Sequence, residues 1–201
     1  MTRQRIPPRV RSSGVPAVIA VILSLPLCAA CEEHTTSPED PVVNPPGNLI
    51  PNGSFERNGQ ATLDTWQVSN SALASLAPEA APGGGKWSLR LQSGGAPSTG
   101  QVKFPVPGLK DGDIVRLSAY VRASSQSGGG LVGLEVTSPS GLVRQKPFAS
   151  TANAQWTQLG VTATLSLEPG DTVWVVLRSP PTELNARAGL FDLVTLERQA
   201  H

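Results

Sequence analysis

The stretch Asp113-Ile-Val-Arg-Leu-Ser-Ala-Tyr-Val-Arg-Ala123 decides the fold class of this chain. Apolar and polar side chains alternate along it, so that Val115, Leu117 and Val121 share one side and Arg116 lies on the other. A period of two is the side-chain period of a β-strand that buries one face. The stretch therefore predicts a strand with an apolar inner face and a polar outer face.

Similar runs recur on both sides of this strand, at residues 86–93, 99–106, 131–137, 142–148, 155–165, 172–179 and 189–197. The turns between them are rich in glycine and proline, which number 20 and 19 in the 201 residues. From Asn48 onward, the helical apolar period is always interrupted by a glycine or a proline within about three turns. We therefore predict an all-β, antiparallel sandwich or barrel of about eight to ten short strands.

The first thirty residues have the features of an export signal. Residues 1–14 contain four arginines and no acid, and residues 15–27 form an apolar run. That run is shorter than the roughly 20 residues of a membrane-spanning helix. Ala29-Ala30-Cys31 resembles the lipobox of bacterial lipoproteins, which implies cleavage before Cys31, diacylglycerol on its thiol and anchoring in the cell envelope. Under the sorting rule of that family, Glu32 favours the outer membrane. The alternative is an ordinary secretory signal that happens to precede a cysteine.

Residues 31–47 are predicted to be a linker that starts at the lipidated Cys31. Residues 32–47 hold four prolines, four acids and only two apolar side chains, which cannot build a packed core. Proline-rich tethers are extended, so this one would lift the folded body off a bilayer. The alternative is a disordered tail with no spacing role. The organisation predicted is a signal peptide over 1–30, a linker over 31–47 and a domain over 48–198.

Charge and residue content exclude several classes of function. The net charge of +1 argues against nucleic-acid binding. The two histidines, His34 and His201, lie outside the predicted body, and both cysteines lie in the first 31 residues. Nucleophile–base pairs of the usual kinds are therefore absent from the body, and no pair of carboxylates stands out as catalytic. We expect a protein that is not an enzyme.

Three segments of the body resemble carbohydrate-binding modules of the family 4/9 type. They are Asn48-Leu-Ile-Pro-Asn-Gly-Ser-Phe-Glu56, Gly85-Lys-Trp-Ser-Leu-Arg-Leu91 and Gly189-Leu-Phe-Asp-Leu-Val-Thr-Leu196. The resemblance spans residues 48–197. It implies a galactose-binding-like jelly roll of two antiparallel sheets, with glycan binding as the usual role.

The same resemblance implies a structural Ca²⁺ where the first and last strands meet. The positions that match the family's ligands are Glu56 and Asp192, with backbone carbonyls near Lys86. Calcium takes six to eight oxygen ligands and accepts carbonyls beside carboxylates. Leu193 stands where many relatives have a second aspartate. The alternative is that both acids cap strand ends or pair with arginine.

A glycan site needs flat apolar surfaces for the C–H faces of a sugar and a few polar groups for its hydroxyls. By strand parity, Tyr120 lies with Arg116 and Arg122 opposite an apolar face, and Trp174 alternates with three apolar neighbours. We predict that these four side chains line one groove, with Trp87 and Trp156 at its rim. The remaining aromatic residues are predicted to lie in the core: Phe55, Trp66, Phe104, Phe148 and Phe191. The alternative is that the four side chains decorate a solvated sheet.

A second function remains open from the sequence. Carbohydrate-binding modules are usually fused to a catalytic domain, which this sequence does not contain. A surface lipoprotein adaptor would use its sandwich to bind a protein partner or to pack in the envelope. It predicts an apolar or edge-strand patch in place of an aromatic groove.

Overall fold

The computed structural model describes residues 44–95, 98–124, 128–180 and 185–200. The predicted signal peptide, Cys31 and the linker as far as residue 43 lie outside the described residues. Within the described ranges, no helix is both long enough and apolar enough to span a membrane.

The described residues form thirteen strands and one short 3-10 helix, Ser71–Leu73. The strands are β1 (Glu56–Arg57), β2 (Gln60–Ala61), β3 (Gln67–Val68), β4 (Ala74–Ala77), β5 (Ser88–Gly94), β6 (Gln101–Val106), β7 (Ile114–Ala123), β8 (Gly130–Thr137), β9 (Val143–Gln145), β10 (Phe148–Thr151), β11 (Thr157–Thr164), β12 (Thr172–Arg178) and β13 (Asn185–Arg198).

The strands build two sheets and a two-stranded ribbon of β1 and β2. Sheet I has six strands in the order β10-β8-β12-β6-β3, with β9 also paired to β8. Sheet II has five strands in the order β11-β7-β13-β5-β4. Every strand pair is antiparallel. The predicted all-β antiparallel sandwich is therefore confirmed.

The hydrophobic core lies between the sheets and follows the predicted alternation. Val115, Leu117, Ala119 and Val121 of β7 are fully buried, and Arg116 is exposed. Sheet I contributes its own alternating apolar side chains: Val102, Phe104, Val106, Val132, Leu134, Val136, Val173, Val175 and Leu177. Burial of these side chains is the main favourable term in the stability of a sandwich without disulfides.

Two differences from the predicted strands have local causes. The run 142–148 is divided into β9 and β10, because Pro147 has no N–H to donate to a ladder. Strands β1 to β4 precede the first predicted body strand, and three of them are only two residues long. Two residues are too few for an alternation to be recognised.

A bulge in β13 connects the start of the domain to its last strand. The pairing of β13 with β7 shifts between Asp192 and Thr195, and Leu193 adopts a φ of 48°. Here the N–H of Val194 donates to the Gly53 carbonyl at 2.9 Å. A Cβ at Gly53 would overlap the Val194 carbonyl, so this close approach requires glycine. The bulge thereby positions the Asp192 side chain beside the loop that precedes β5.

Candidate functional site

The outer face of sheet I, away from the core, carries many polar, charged and aromatic side chains. In β6, β8 and β12, these side chains belong to the residues that alternate with the core residues. Others come from the segment that contains β9 and β10. Together they are Gln101, Lys103, Glu135, Thr137, Lys146, Phe148, Trp174 and Arg178. Antiparallel pairing sets Trp174 directly beside Glu135 and Pro105, and Phe148 beside Gly133.

A carboxylate with three cations around it lies at the centre of this face. The Glu135 side chain is only 2% exposed, and its Oε2 lies 2.5 Å from Nζ of Lys103. Its Oε1 lies 3.2 Å from Nη2 of Arg178 and 3.8 Å from Nζ of Lys146. A buried charge is tolerated only when it is paired and hydrogen-bonded. Glu135 therefore fixes the positions of the cationic side chains on the outer face of sheet I.

Two aromatic rings lie on the same face. The Arg178 guanidinium stacks 5.5 Å from the Phe148 ring centre, and its Nε donates to Oε1 of Gln101 at 2.7 Å. The Trp174 indole N–H donates to Thr137 Oγ1 at 2.8 Å. Both rings are partly exposed. Aromatic rings that are fixed in place beside oriented hydrogen-bond donors are the combination that a sugar-binding site requires.

The structure separates residues that the sequence analysis grouped in one groove. Arg116, Tyr120 and Arg122 belong to β7 and project from the outer face of sheet II. Trp174 belongs to β12, in sheet I. The predicted single groove is therefore wrong in its membership, because parity tells which side of a strand a residue takes but not which sheet the strand joins.

The outer face of sheet II has its own cavity of about 360 Å³, lined by Pro45, Arg116, Ser118, Tyr120, Gln158, Leu193, Thr195 and Glu197. Beyond it, Arg122 pairs with Glu79 and stacks 5.4 Å from the Trp156 ring centre. Trp87 is partly exposed, and its backbone N–H donates to Glu56 Oε2 at 3.2 Å. Of the predicted rim residues, Trp156 thus lies beside Arg122 and Trp87 beside Glu56. Neither tryptophan is among the side chains that build the outer face of sheet I.

Seven of the eight side chains on the sheet I face were missed by the sequence analysis: Gln101, Lys103, Glu135, Thr137, Lys146, Phe148 and Arg178. Phe148 was predicted to be a core residue, which is wrong, because its ring lies on the outer side of Gly133. The core prediction is confirmed for the other four aromatics, which are buried: Phe55, Trp66, Phe104 and Phe191. A signal for Glu135 existed, since it alternates with Val132, Leu134 and Val136 within one strand.

The two predicted calcium ligands converge on one glycine-rich loop. Glu56 Oε2 accepts the N–H of Lys86 at 2.9 Å, and Asp192 Oδ2 accepts the N–H of Ala81 at 2.8 Å. A Cβ at Gly84 would overlap the Asp192 carboxylate, and one at Gly85 would overlap that of Glu56. The loop backbone is therefore in direct contact with both acids.

Burial raises the pKa of Asp192 to about 7, against hydrogen bonds from Ala81 and Leu193 that lower it, and the nearby Glu56 carboxylate adds to the rise. In donor type the pair fits calcium, which favours carboxylate and carbonyl oxygens. A cluster of three or more metal-ligating side chains is not found among the described residues. Any ion held here would take further ligands from the backbone of the loop.

The sequence profile of the carbohydrate-binding domain family CBM 4/9 matches residues 47–184, well over half of the chain. The chain belongs to this family. The match includes every side chain named above on the outer face of sheet I of this carbohydrate-binding domain. A comparison with curated protein sequences found no match.

Solved structures share the fold of the domain at low sequence identity. A carbohydrate-binding module of family 16 aligns with a TM-score of 0.57 and 23% identity, over 74% of this chain and 99% of that module. The family 61 module TmCBM61, solved with β-1,4-galactotriose, aligns with a TM-score of 0.52 and 18% identity, over 76% and 99%. The xylan-binding domain CBM22-1 of Paenibacillus barcinonensis Xyn10C aligns with a TM-score of 0.53 and 17% identity, over 71% and 92%.

Other structural matches belong to larger proteins. The chain spans 22% of the enzymatically active domain of a bacteriophage CBA120 tailspike protein. At these identities the likeness shows the fold, a two-sheet sandwich shared with carbohydrate-binding modules. The choice of ligand depends on the side chains of this chain.

Proposed function

We propose that this protein is a non-catalytic, membrane-anchored module that binds an oligo- or polysaccharide across the outer face of sheet I. One observation favours the outer face of sheet I over that of sheet II. Glu135 is almost fully buried on the side of the sheet that faces away from the core, held by Lys103 and Arg178 beside Trp174. Such an arrangement costs desolvation and adds nothing to the core, which favours a role in binding.

The side chains on this face supply both halves of sugar recognition. Trp174 and Phe148 offer apolar ring surfaces to C–H faces. Arg178, Gln101 and Lys103 offer donors and an acceptor to hydroxyls. Hydrogen bonds from Arg178 to Gln101 and from Lys103 to Glu135 hold these side chains in place. Because these groups are ordered before a ligand arrives, binding loses little side-chain entropy.

The anchor is proposed from the N-terminal sequence. The basic start, the short apolar run and Ala29-Ala30-Cys31 support acylation of Cys31, and Glu32 supports sorting to the outer membrane. The linker that follows supports display of the module away from the bilayer, at the cell surface.

The adaptor alternative predicted an apolar or edge-strand patch. Among the described residues, the large hydrophobic side chains that are exposed are Leu142 and Val143, which are neighbours at the start of β9. Patches that bind proteins are larger than two neighbouring residues. Glycan binding is therefore the function that the geometry supports best.

Affinity electrophoresis tests the proposal. The purified protein is run through gels that contain β-1,4-galactan, xylan or arabinan, and retardation in at least one gel is expected. Trp174→Ala should remove the retardation, because the ring on the outer face of sheet I is lost. The matched control is Thr162→Ala, an exposed position in β11 of sheet II, which should migrate like the wild type. Free migration of the wild type through every glycan would contradict the proposal.

A further inference from the structure

Cationic side chains outnumber acids on the outer face of sheet I. Of the eight side chains that build this face, three are cationic, Lys103, Lys146 and Arg178, and one is acidic, Glu135. Their formal charges leave a surplus of two positive charges. The whole chain has 16 basic and 15 acidic residues, so the surplus is a local feature of this face. We refer to the three cations as the cationic cluster.

The cationic cluster is accessible to a ligand, whereas the carboxylate beneath it is not. The side chains of Lys146, Lys103 and Arg178 are 49%, 24% and 23% exposed, against 2% for that of Glu135. A ligand that approaches the face therefore contacts ammonium and guanidinium groups. Attraction between such groups and an anion is stronger near a protein surface than in bulk water, because the effective dielectric constant is lower there.

The hydrogen bonds within the face leave donors in excess. The two oxygens of Glu135 already accept from Lys103 and Arg178, and Oε1 of Gln101 also accepts from Arg178. The Lys146 ammonium lies 3.8 Å from Glu135 Oε1, beyond hydrogen-bond distance, so Glu135 uses none of its three donors. A hydroxyl both donates and accepts, whereas an ionised carboxylate only accepts. The excess of donors therefore matches a carboxylate on the ligand.

Two nitrogens of the cationic cluster are placed to share one further carboxylate. Lys146 Nζ and Arg178 Nη2 approach the same oxygen of Glu135, at 3.8 and 3.2 Å, and therefore lie within about 7 Å of each other. A carboxylate can accept from two donors at once through its two oxygens. Glu135 is the cross-strand partner of Trp174, so these nitrogens lie beside the proposed sugar-binding ring.

We propose that the bound glycan is acidic, and that the carboxylate of a uronic acid unit contacts Lys146 and Arg178 while a neighbouring sugar packs on Trp174. The inference rests on the proposed function and names the class of glycan. Hydrogen bonds between charged groups are stronger than those between neutral groups, so the carboxylate adds to the C–H contacts with the ring. The module thereby prefers an acidic polymer to a neutral one with the same linkages.

Carboxyl reduction of the glycan tests the inference in the wild type. Glucuronoxylan, polygalacturonate and alginate are each coupled to agarose, either untreated or after reduction of the uronate to the neutral sugar, which keeps the linkages. Depletion of the protein from solution gives the dissociation constants. At least one untreated polymer should bind about tenfold or more tightly than its reduced form at low salt. Equal dissociation constants for every pair would overturn the inference.

Salt and Trp174→Ala show whether the charge acts within the sugar site. Raising NaCl from about 50 to about 500 mM should weaken binding of the untreated polymer several-fold and leave that of the reduced polymer unchanged, because salt screens exposed charges. Trp174→Ala should lose binding to both forms. Undiminished binding of the untreated polymer by this variant would show adsorption by charge alone, which overturns the inference. Tighter, Trp174-dependent binding of dextran sulfate than of any uronate polymer would also overturn it.

Two substitutions of Lys146 assign the preference to the cationic cluster. Lys146→Gln should weaken binding of the untreated polymer about threefold to fivefold, the loss expected for one exposed ion pair, and should not affect the reduced polymer. Lys146→Glu should abolish the preference, because the two carboxylates would repel each other. Arg116→Gln is the matched control, since it removes one positive charge from an exposed position on the outer face of sheet II. If both Lys146 variants keep the wild-type preference, the inference is wrong.

The same measurements separate this inference from the proposed function. A wild type that binds untreated and reduced polymers equally, with both lost in Trp174→Ala, leaves glycan binding standing and removes the acidic ligand. A wild type that binds no polymer, acidic or neutral, overturns both.

Discussion

Gly133 and Phe148 are cross-strand partners in sheet I, and the Phe148 ring occupies the space that a Cβ on Gly133 would need. The absence of a side chain at one position therefore allows an aromatic ring to lie flat on the sheet at the other. The ring in turn stacks with Arg178, whose Nη2 lies 3.2 Å from Glu135. A single glycine thus shapes the candidate binding face.

Gly133→Ala should displace the Phe148 ring and weaken glycan retention. Overpacking of this kind costs about 1–3 kcal/mol, and we expect the lower end because Phe148 is partly exposed. Retention and thermal melting are measured on the same preparation. Gly160→Ala in sheet II is the matched control, since the nearest atom to its added Cβ lies at 3.8 Å. Equal retention by the wild type and Gly133→Ala would show that Phe148 does not contribute to binding.

Trp174→Ala and Tyr120→Ala distinguish the two outer faces. If the glycan lies on sheet I, the Trp174 variant should lose retention and the Tyr120 variant should keep it, because the two rings project from different sheets. Both residues are partly exposed, so neither change should open a large core cavity. The reverse result in affinity electrophoresis would move the site to the cavity around Tyr120.

Trp66→Ala should destabilise the domain whatever the ligand. Trp66 is 6% exposed, its ring lies 5.5 Å from Phe55 and 5.9 Å from Phe104, and its indole N–H donates to the Asn52 carbonyl. Truncation of a buried aromatic residue costs roughly 3–5 kcal/mol. Chemical denaturation should give a loss of that size. A loss below about 1 kcal/mol would mean that the core closes around the missing ring.

The fold was accessible from the sequence because its main strands are long enough to show a period of two. In β7, every second residue from Val115 to Ala123 is buried, as the alternation predicted. The divided strand and the shortest strands were harder to predict from the sequence. Pro147 divides one predicted strand into two, and β1 to β3 have two residues each, so their pairing depends on tertiary contacts.

The candidate site could be predicted only in part from the sequence. The side of a strand that a residue takes follows from the local alternation, but the sheet that a strand joins depends on distant parts of the chain. Alternation separated Trp174 and Tyr120 from the core side of their strands, and the structure places neither in the core cluster. The alternation in the sequence gave no information on which strands become neighbours in space. Glu135 and Lys103 lie 32 positions apart in the chain, and their pairing follows from the order β8-β12-β6.

Cys31→Ser should release the protein from the membrane fraction or leave it uncleaved. A thioether-linked diacylglycerol supplies more than one acyl chain, and stable anchoring needs more than one. Fractionation and the mass of the mature protein are the measurements. Cys28→Ser is the matched control, because it removes the neighbouring thiol and leaves Ala29-Ala30-Cys31 intact. Unchanged fractionation and unchanged mass of the Cys31→Ser protein would exclude the lipid anchor.

Calcium should raise the melting temperature of the wild type if Glu56 and Asp192 hold an ion. A ligand that binds only the folded state stabilises it by about 2.7 kcal/mol at a hundredfold excess over its dissociation constant. For a domain of this size, that corresponds to a rise of roughly 5–10 °C. Differential scanning fluorimetry in chelator and in millimolar Ca²⁺ measures the difference, with Mg²⁺ as the ionic control.

Asp192→Asn assigns the effect to this pair of acids. An asparagine keeps an oxygen for the N–H of Ala81 or Leu193 and removes the charge, so the variant should melt at one temperature with and without calcium. Asp64→Asn is the matched control. Asp64 pairs with Arg57 on the surface, and its loss should leave the calcium-dependent rise intact. If the wild type melts identically in chelator and in calcium, Glu56 and Asp192 serve to fix the Gly84–Gly85 loop to the β13 bulge. Their backbone hydrogen bonds would then account for both side chains.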